Sequence, residues 1–352
     1  MSIPYRHKRT LKRLGILLAA LMLVFSVTWL CWVVWLQRYV IYTDEGAQLN
    51  FSLSSYGLTG KEAVEPKAQQ NVSIFYNEGA DAIDTTHEMT QLNGYYITSD
   101  MFQQDLENVM LQIERFPSGT PVMIDMKGAF GSFFYTSNLP DAVMSASTNI
   151  EQVSKLITRL HTKGFYTIAR ISAFRDRTYG ESHVSSGLYM LNKKGLWMDP
   201  DGMYWLDPTN ATTTSWITSQ VLELRDMGFD EVLLDNFCFP NSDKYIFNGD
   251  KAGALQSAAA TLMSTCGSNK FVLSFLADKS FILPEGRCRL YVTDVSAAGI
   301  GQAAATYKDI SDIEIRLVFL AESGDTRYEK YSVLRSLHVA EEVEARKNNA
   351  AE

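Results

Sequence analysis

The sequence predicts an α/β fold, a (β/α)₈ barrel of the TIM type, preceded by one transmembrane helix and a small β hairpin. Three observations predict it. From residue 93 to residue 322 the chain repeats one unit: an amphipathic helix, a glycine and a short apolar strand. Repeats of that form are βα units around a parallel sheet buried on both faces. A doubly wound open sheet would want a Gly-rich phosphate loop after its first strand, and the sequence has none. The repeating portion is also close to the ~250 residues of an ordinary barrel. Seven strands are clear; an eighth falls at residues 72–76, or the barrel is incomplete.

The chain opens on a tail, residues 1–13, that carries Arg6, Lys8, Arg9, Lys12 and Arg13 and no acid. Residues 14–36 are an uncharged, strongly apolar run of 23 residues, long enough to cross a bilayer as a helix. The basic flank puts the N-terminus in the cytoplasm and the remainder outside the cell membrane. The run is too long for a signal-peptide core. Trp29, Trp32 and Trp35 also fill the place where small residues would mark cleavage, so the segment reads as an uncleaved anchor. Residues 37–90 form an extracytoplasmic region: an alternating stretch that turns at Asp44-Glu45-Gly46 is a hairpin, and residues 57–70 are a linker.

The barrel is expected over residues 91–340. "NGYYIT" is a strand, and Asp100 caps a helix with Met101, Leu106, Val109, Met110 and Ile113 on its apolar face. "PVMIDMKG" is a continuous apolar strand containing Asp125. Thr148 and Glu151 have capping-box spacing before a helix with Ile150, Val153, Leu156, Ile157 and Leu160 on one face. After "FYTIARIS" comes a long excursion, whose Pro200-Asp201-Gly202 suggests a protruding hairpin. A helix bearing Trp216, Ile217, Val221, Leu222 and Leu224 then stops at Gly228 and leads into "EVLLDNF". An Ala-rich helix at residues 251–266, "FVLSFLAD", "RLYVTDVS" and "EIRLVFLAE" follow. A last helix is expected from about residue 326, running into a charged tail, residues 341–352.

Charge narrows the partners. Beyond residue 38 there are 26 Lys and Arg against 40 Asp and Glu, a net charge of −14. Such an acidic surface argues against nucleic acid and against anionic lipid headgroups, and leaves neutral ligands such as sugars or peptides. Cys238, Cys266 and Cys288 have no C-x-x-C spacing; a Cys266–Cys288 bridge is open, and buried thiols are the stronger expectation. No two of the five histidines have metal-ligand spacing, so no metal or cofactor is expected. Nothing in the sequence sets the oligomeric state.

In a barrel the active site is built at the C-terminal ends of the strands. Asp125, Asp176, Asp235, Asp278, Asp294 and Glu322 all fall at such exits. Aspartate is also a favoured helix cap there, so each taken singly has a bland explanation. Together they point to a functional mouth. Two carboxylates facing across a sugar are what glycosidic cleavage needs, one protonated to donate to the leaving oxygen, the other a nucleophile or a base for water. The excursion "GLWMDPDGMYWLDPTN" offers Trp197, Tyr204 and Trp205 as sugar platforms beside Asp199, Asp201 and Asp207, or as residues that pack the loop on the barrel.

"VMIDMKG", "LHTKGFYTIARISAFRD", "GLWMDPDGMYWLDPTN" and "GFDEVLLDNFCFP", in that order, resemble a bacterial family of glycoside hydrolases with a TIM-barrel domain, distantly related to the alpha-amylase superfamily. The resemblance covers about residues 90–240. It implies that Asp235 is the nucleophile, that Asp125 is the aspartate of the second strand, and that Arg170 and Asp176 belong to the site. It also matches Trp205, Asp207 and Pro208 to a Trp-x-Asp-Pro element. Asn236 and Cys238 depart from it, where the family carries a tyrosine and an arginine. The general acid is expected at Asp278, with Glu322 second. The expected catalytic residues are thus Asp235, Asp278 and Asp125, and the substrate-binding residues Arg170, Asp176, Trp197, Trp205, Asp207 and Glu322. The function implied is a membrane-anchored hydrolase of a polysaccharide or cell-wall glycan. The alternative is a catalytically degenerate barrel that binds carbohydrate or another envelope component.

Overall fold

The computed structural model describes residues 22–26, 28, 29, 32, 40–43, 46–49 and 89–340. The chain divides into two compact units, Met1–Glu78 and Gly79–Glu352. In the first, Val40–Thr43 pairs antiparallel with Gly46–Leu49, the hairpin that the alternating sequence predicts. Most of the apolar run at residues 14–36 lies outside the described residues; those described within it are helical and exposed. Among the described residues no helix is long and apolar enough to cross a membrane. Residues 72–76, the candidate eighth strand, also lie outside them.

The second unit is a closed barrel of eight parallel strands. They are β1 (Asn93–Ile97), β2 (Pro121–Lys127), β3 (Tyr166–Ser172), β4 (Glu231–Asp235), β5 (Val272–Leu276), β6 (Leu290–Val292), β7 (Leu317–Ala321) and β8 (Ser332–Ser336). Each pairs with the next, and β8 pairs with β1 to close the ring. The helices α1 (Ser99–Glu114), α2 (Ile150–Thr162), α3 (Ala211–Asp226) and α4 (Lys251–Cys266) pack outside. Their buried faces follow the periodicity: α2 buries Val153, Leu156, Ile157 and Leu160, and α3 buries Trp216, Ile217, Val221 and Leu224. Gly94 lets β1 and β2 approach, since a Cβ there would stand 1.9 Å from the Pro121 carbonyl oxygen. Gly164 and Gly228 stop α2 and α3 at φ of +70° and +99°.

Three expectations are corrected. The last helix, expected from residue 326, is a short 3₁₀ turn, Thr326–Lys330, followed by β8, so the eighth strand comes at the end of the chain. "SVLRS" hides as a strand because two serines and an arginine interrupt its apolar character, yet all five residues are buried. Arg335 is 1% exposed and reaches the Asn93 side chain at 2.7 Å. The cap of α2 is Asn149, accepting from the Gln152 N–H at 3.2 Å, while Thr148 bonds to Gln103 instead. Asp100 lies in the first turn of α1; its N-terminal Ser99 N–H is capped from another strand by Asp125, at 2.9 Å.

The barrel lumen is layered. An apolar belt contains Tyr96, Met123, Ile168, Leu233, Tyr291, Val318, Leu320 and Leu334. At the N-terminal end of the strands lies a sealed polar cluster around Glu231, which is 0% exposed. Its carboxylate pairs with Arg289 and accepts hydrogen bonds from Ser274 at 2.6 Å and from Tyr166 and Tyr291 at 2.8 Å. Arg289 also donates to the Thr90 carbonyl at 2.9 Å. A buried ion pair becomes tolerable when every remaining lone pair and proton is met in this way. Arg289→Met would leave Glu231 charged and unpaired in the core. It is expected to cost about 3–5 kcal/mol of stability, read by chemical denaturation; a loss below about 1 kcal/mol would contradict the role given to the pair.

Candidate active site

The C-terminal mouth of the barrel is built around Asp125 and Arg170, and β2 slips just beyond them. Asp125 pairs in register with Arg170, but Lys127 pairs with Ile171, so one extra residue bulges between them. Asp125 stands beside Arg170 in the regular register before the bulge, and the bulge puts Lys127 with the outer layer. Arg170 grips Asp125 with two parallel bonds, Nε to Oδ1 at 2.5 Å and Nη2 to Oδ2 at 2.9 Å. Such a fork holds both side chains in one orientation. Burial opposes the guanidinium charge, but Asp125, Asp235 and Tyr96 together hold its proton more tightly than usual.

Asp235 closes β4 beside this pair and is partly exposed. Burial raises its carboxyl above the ordinary range; the Arg170 charge and the Asn236 N–H work against that rise, and Asp125 adds to it. A carboxylate held slightly short of hydration but steadied by an arginine is suited to nucleophilic or basic work.

Across the mouth a cavity of about 560 Å³ is lined by Tyr96, Arg170, Asp294, Leu320, Glu322 and Tyr328, among others. Tyr96 donates to Glu322 Oε1. Its phenol titrates well above its usual value, first through burial and then through that carboxylate. Asp294 holds a positive φ of +58°, and its carboxylate takes a hydrogen bond from Thr293 at 3.1 Å. Arg170 thus joins the Asp125–Asp235 side of the mouth to the side that carries Glu322 and Asp294.

Other expected site residues lie elsewhere. Asp176 is 1% exposed and pairs with Lys127 at 2.6 Å, while it caps the helix Arg177–Ser182 through the Tyr179 N–H at 2.9 Å. It is enclosed in the outer layer and does not line the cavity. Trp197 and Trp205 are each 7% exposed and belong to the hydrophobic core, so the aromatics of the excursion pack it down rather than face a sugar. Trp205 donates to Asp199 at 3.0 Å, and Arg175 clamps the hairpin tip through Asp199 at 2.7 Å and Asp201 at 2.5 Å. Asp207 caps a local turn through the Thr209 N–H at 2.9 Å and does not line the cavity. Asp278 stands exposed past β5. With Asp235 it acts on Cys238, whose thiol burial first, and these charges after it, push up to about 12. The three described cysteines are free thiols. Among the described residues no three His, Cys, Asp or Glu side chains converge to hold a metal.

Among the cavity residues, sequence reasoning passed over Tyr96 and Tyr328 and gave Asp294 no role. The strand alternation in "NGYYIT" makes one of its two tyrosines face the lumen, and Asp294 stood among the strand-exit carboxylates. The signals were present but did not rank them.

Asp235 carries a linkage consequence. Its folded-state carboxyl is raised, so its contribution to stability is present when protonated and is lost as pH rises through the folded titration. Asp235→Asn is therefore expected to melt at a higher temperature than the parent at about pH 7, with the gap narrowing towards about pH 4. Equal melting across that range would contradict it.

No curated protein matches the chain. A hypothetical protein from Ruminiclostridium thermocellum ATCC 27405 is 24% identical, covering 54% of this chain and all (100%) of its own, with a TM-score of 0.46. The cycloalternan-degrading enzyme of Trueperella pyogenes, solved with cycloalternan, is 12% identical. That comparison covers 75% of this chain and 46% of that enzyme at a TM-score of 0.51, a likeness of barrel fold. The glycoside hydrolase domain of PelA from Pseudomonas aeruginosa is 14% identical over 71% of this chain and 95% of that domain, with a TM-score of 0.44. A family model matches residues 94–280, more than half of the sequence and beyond the Pro240 end of the quoted motifs, and the chain belongs to the family it describes, "Putative glycosyl hydrolase domain".

Proposed function

We propose that the barrel is a retaining glycoside hydrolase in which Asp235 attacks the anomeric carbon. An acid on the opposite side of the mouth protonates the leaving oxygen. The observation that carries this reading is Asp235 at the end of β4, beside an arginine that Asp125 fixes and that itself lines the cavity bearing Glu322 and Asp294. In a retaining reaction the carboxylate forms a glycosyl ester as the glycosidic bond breaks; the deprotonated acid then activates water, which releases the sugar. Asp125 is a positioning residue here, because both its oxygens are engaged by Arg170. The acid comes from the far wall, where Glu322 and Asp294 line the cavity, in preference to Asp278. Tyr96 occupies one oxygen of Glu322 and leaves the other to carry the proton.

The substrate is a polysaccharide or cell-wall glycan, and the distant alpha-amylase kinship belongs to this same reading. The apolar run at residues 14–36, with its basic flank, supports a membrane-anchored chain with the barrel on the extracytoplasmic side. The domain limits inferred from sequence, with the barrel at residues 91–340, are kept in it. A second reading, a barrel that binds glycan without cleaving it, is favoured by one observation: beside Asp235 the chain carries Asn236 and Cys238, where the resembling family carries a tyrosine and an arginine.

A screen of polysaccharides and peptidoglycan fragments separates the two. Asp235→Asn is expected to lose activity on the order of 10³-fold or more while still binding glycan. Equal activity in parent and variant removes Asp235 from the mechanism. Glu322→Gln and Asp294→Asn identify the acid: the variant that fails on natural glycan and recovers on glycosides with an activated leaving group has lost it.

A further inference from the structure

The turn that follows Asp235 departs from the resembling family, and its geometry gives that departure a use. Asn236 holds a left-handed φ of +52°. Asparagine is one of the few side chains besides glycine that enters this region readily. In that conformation the Asn236 N–H points back to Asp235 Oδ1 at 2.6 Å. Its side-chain amide donates to Ser172 Oγ at 3.1 Å, and Ser172 donates to the Arg175 carbonyl at 2.7 Å. On either side the backbone is tied down as well. The Ala173 N–H donates to the Asp235 carbonyl at 2.8 Å, and the Phe237 N–H to the Leu276 carbonyl at 3.1 Å.

We infer that Asn236 is a positioning residue for Asp235: its left-handed backbone aims an N–H at one carboxylate oxygen, and its amide locks that turn to Ser172 on the neighbouring strand. One oxygen is thereby held, and the other is left to attack. A glycine would accept the same backbone angle but would lack the anchor. A β-branched residue would leave the angle altogether and turn the N–H away. The charged and titratable groups that act on Asp235 are Arg170 from β3, Asp125 from β2 and Arg175 from the excursion; Cys238, in its own turn, feels it in return. None of these is bonded by Asn236, so a change there reports on the N–H and the turn.

The inference rests on the reading of Asp235 as nucleophile, and the test keeps the two apart. The full chain, labelled with ¹³C at aspartate carboxyls, is titrated by NMR, with the Asp235 signal assigned by its loss in Asp235→Asn. In Asn236→Val the signal is expected to titrate at higher pH than in the parent. Asn236→Gly and Ser172→Ala both keep the backbone angle accessible and lose the anchor, and both are expected to fall between the parent and Asn236→Val. On the glycan found by the screen, kcat/KM of Asn236→Val at the acid end of the profile is expected to fall by about tenfold relative to its plateau, with KM little changed. Should Asn236→Val fail to fold, Asn236→Ala takes its place in both measurements. A Val or Ala variant that titrates like the parent overturns the inference even if Asp235→Asn is inactive. A shifted titration beside a fully active Asp235→Asn supports the positioning role and overturns only the nucleophile reading.

Discussion

The two-pronged contact between Arg170 and Asp125 is the constraint on which the mouth of this barrel depends. It fixes an arginine that would otherwise swing, caps the first helix through the Ser99 N–H, and sets the charge beside which Asp235 must ionise. The contact exists because β2 and β3 run in unbroken register from Pro121 and Tyr166 to Asp125 and Arg170, and β2 slips by one residue only beyond it. Without the bulge the lysine would share the pleat of the aspartate. With it, one strand supplies an anchor to the lumen and another to the outer layer, where Lys127 meets Asp176 and lies about 6 Å from the Phe133 and Trp216 rings.

Much of the fold was legible because the barrel strands are short, apolar and bounded by helix stops. "PVMIDMKG", "FYTIARIS" and "FVLSFLAD" carry a signal that buried parallel strands share. β8 carries none of it, since Ser332, Arg335 and Ser336 are polar, and Ser332 and Arg335 find partners in distant parts of the chain. Ser332 meets the Leu92 N–H, and Arg335 meets Asn93. Periodicity reads only neighbours in sequence and cannot see such pairs.

The candidate site was legible in the same uneven way. Asp125, Arg170 and Asp235 stand together at the mouth because strand ends converge in any such barrel. Asp176 also follows a strand end, but its fate turned on the bulge one strand away, which no local pattern announces. The tryptophans of the excursion illustrate the other limit. Trp197 and Trp205 look alike as sugar platforms or as packing, and only the path of the hairpin over the barrel decides between them.

The layering of charge gives the molecule two different responses to ionic strength. Glu231 with Arg289 and Lys127 with Asp176 are shut away from solvent, so dissolved ions have no access to them and added salt leaves them as they are. Glu322 and Asp294 stand exposed, where counter-ions can gather, and the field around them shortens as salt is added. A change of salt concentration therefore acts on the reactive end of the barrel and spares the pairs that hold the barrel together.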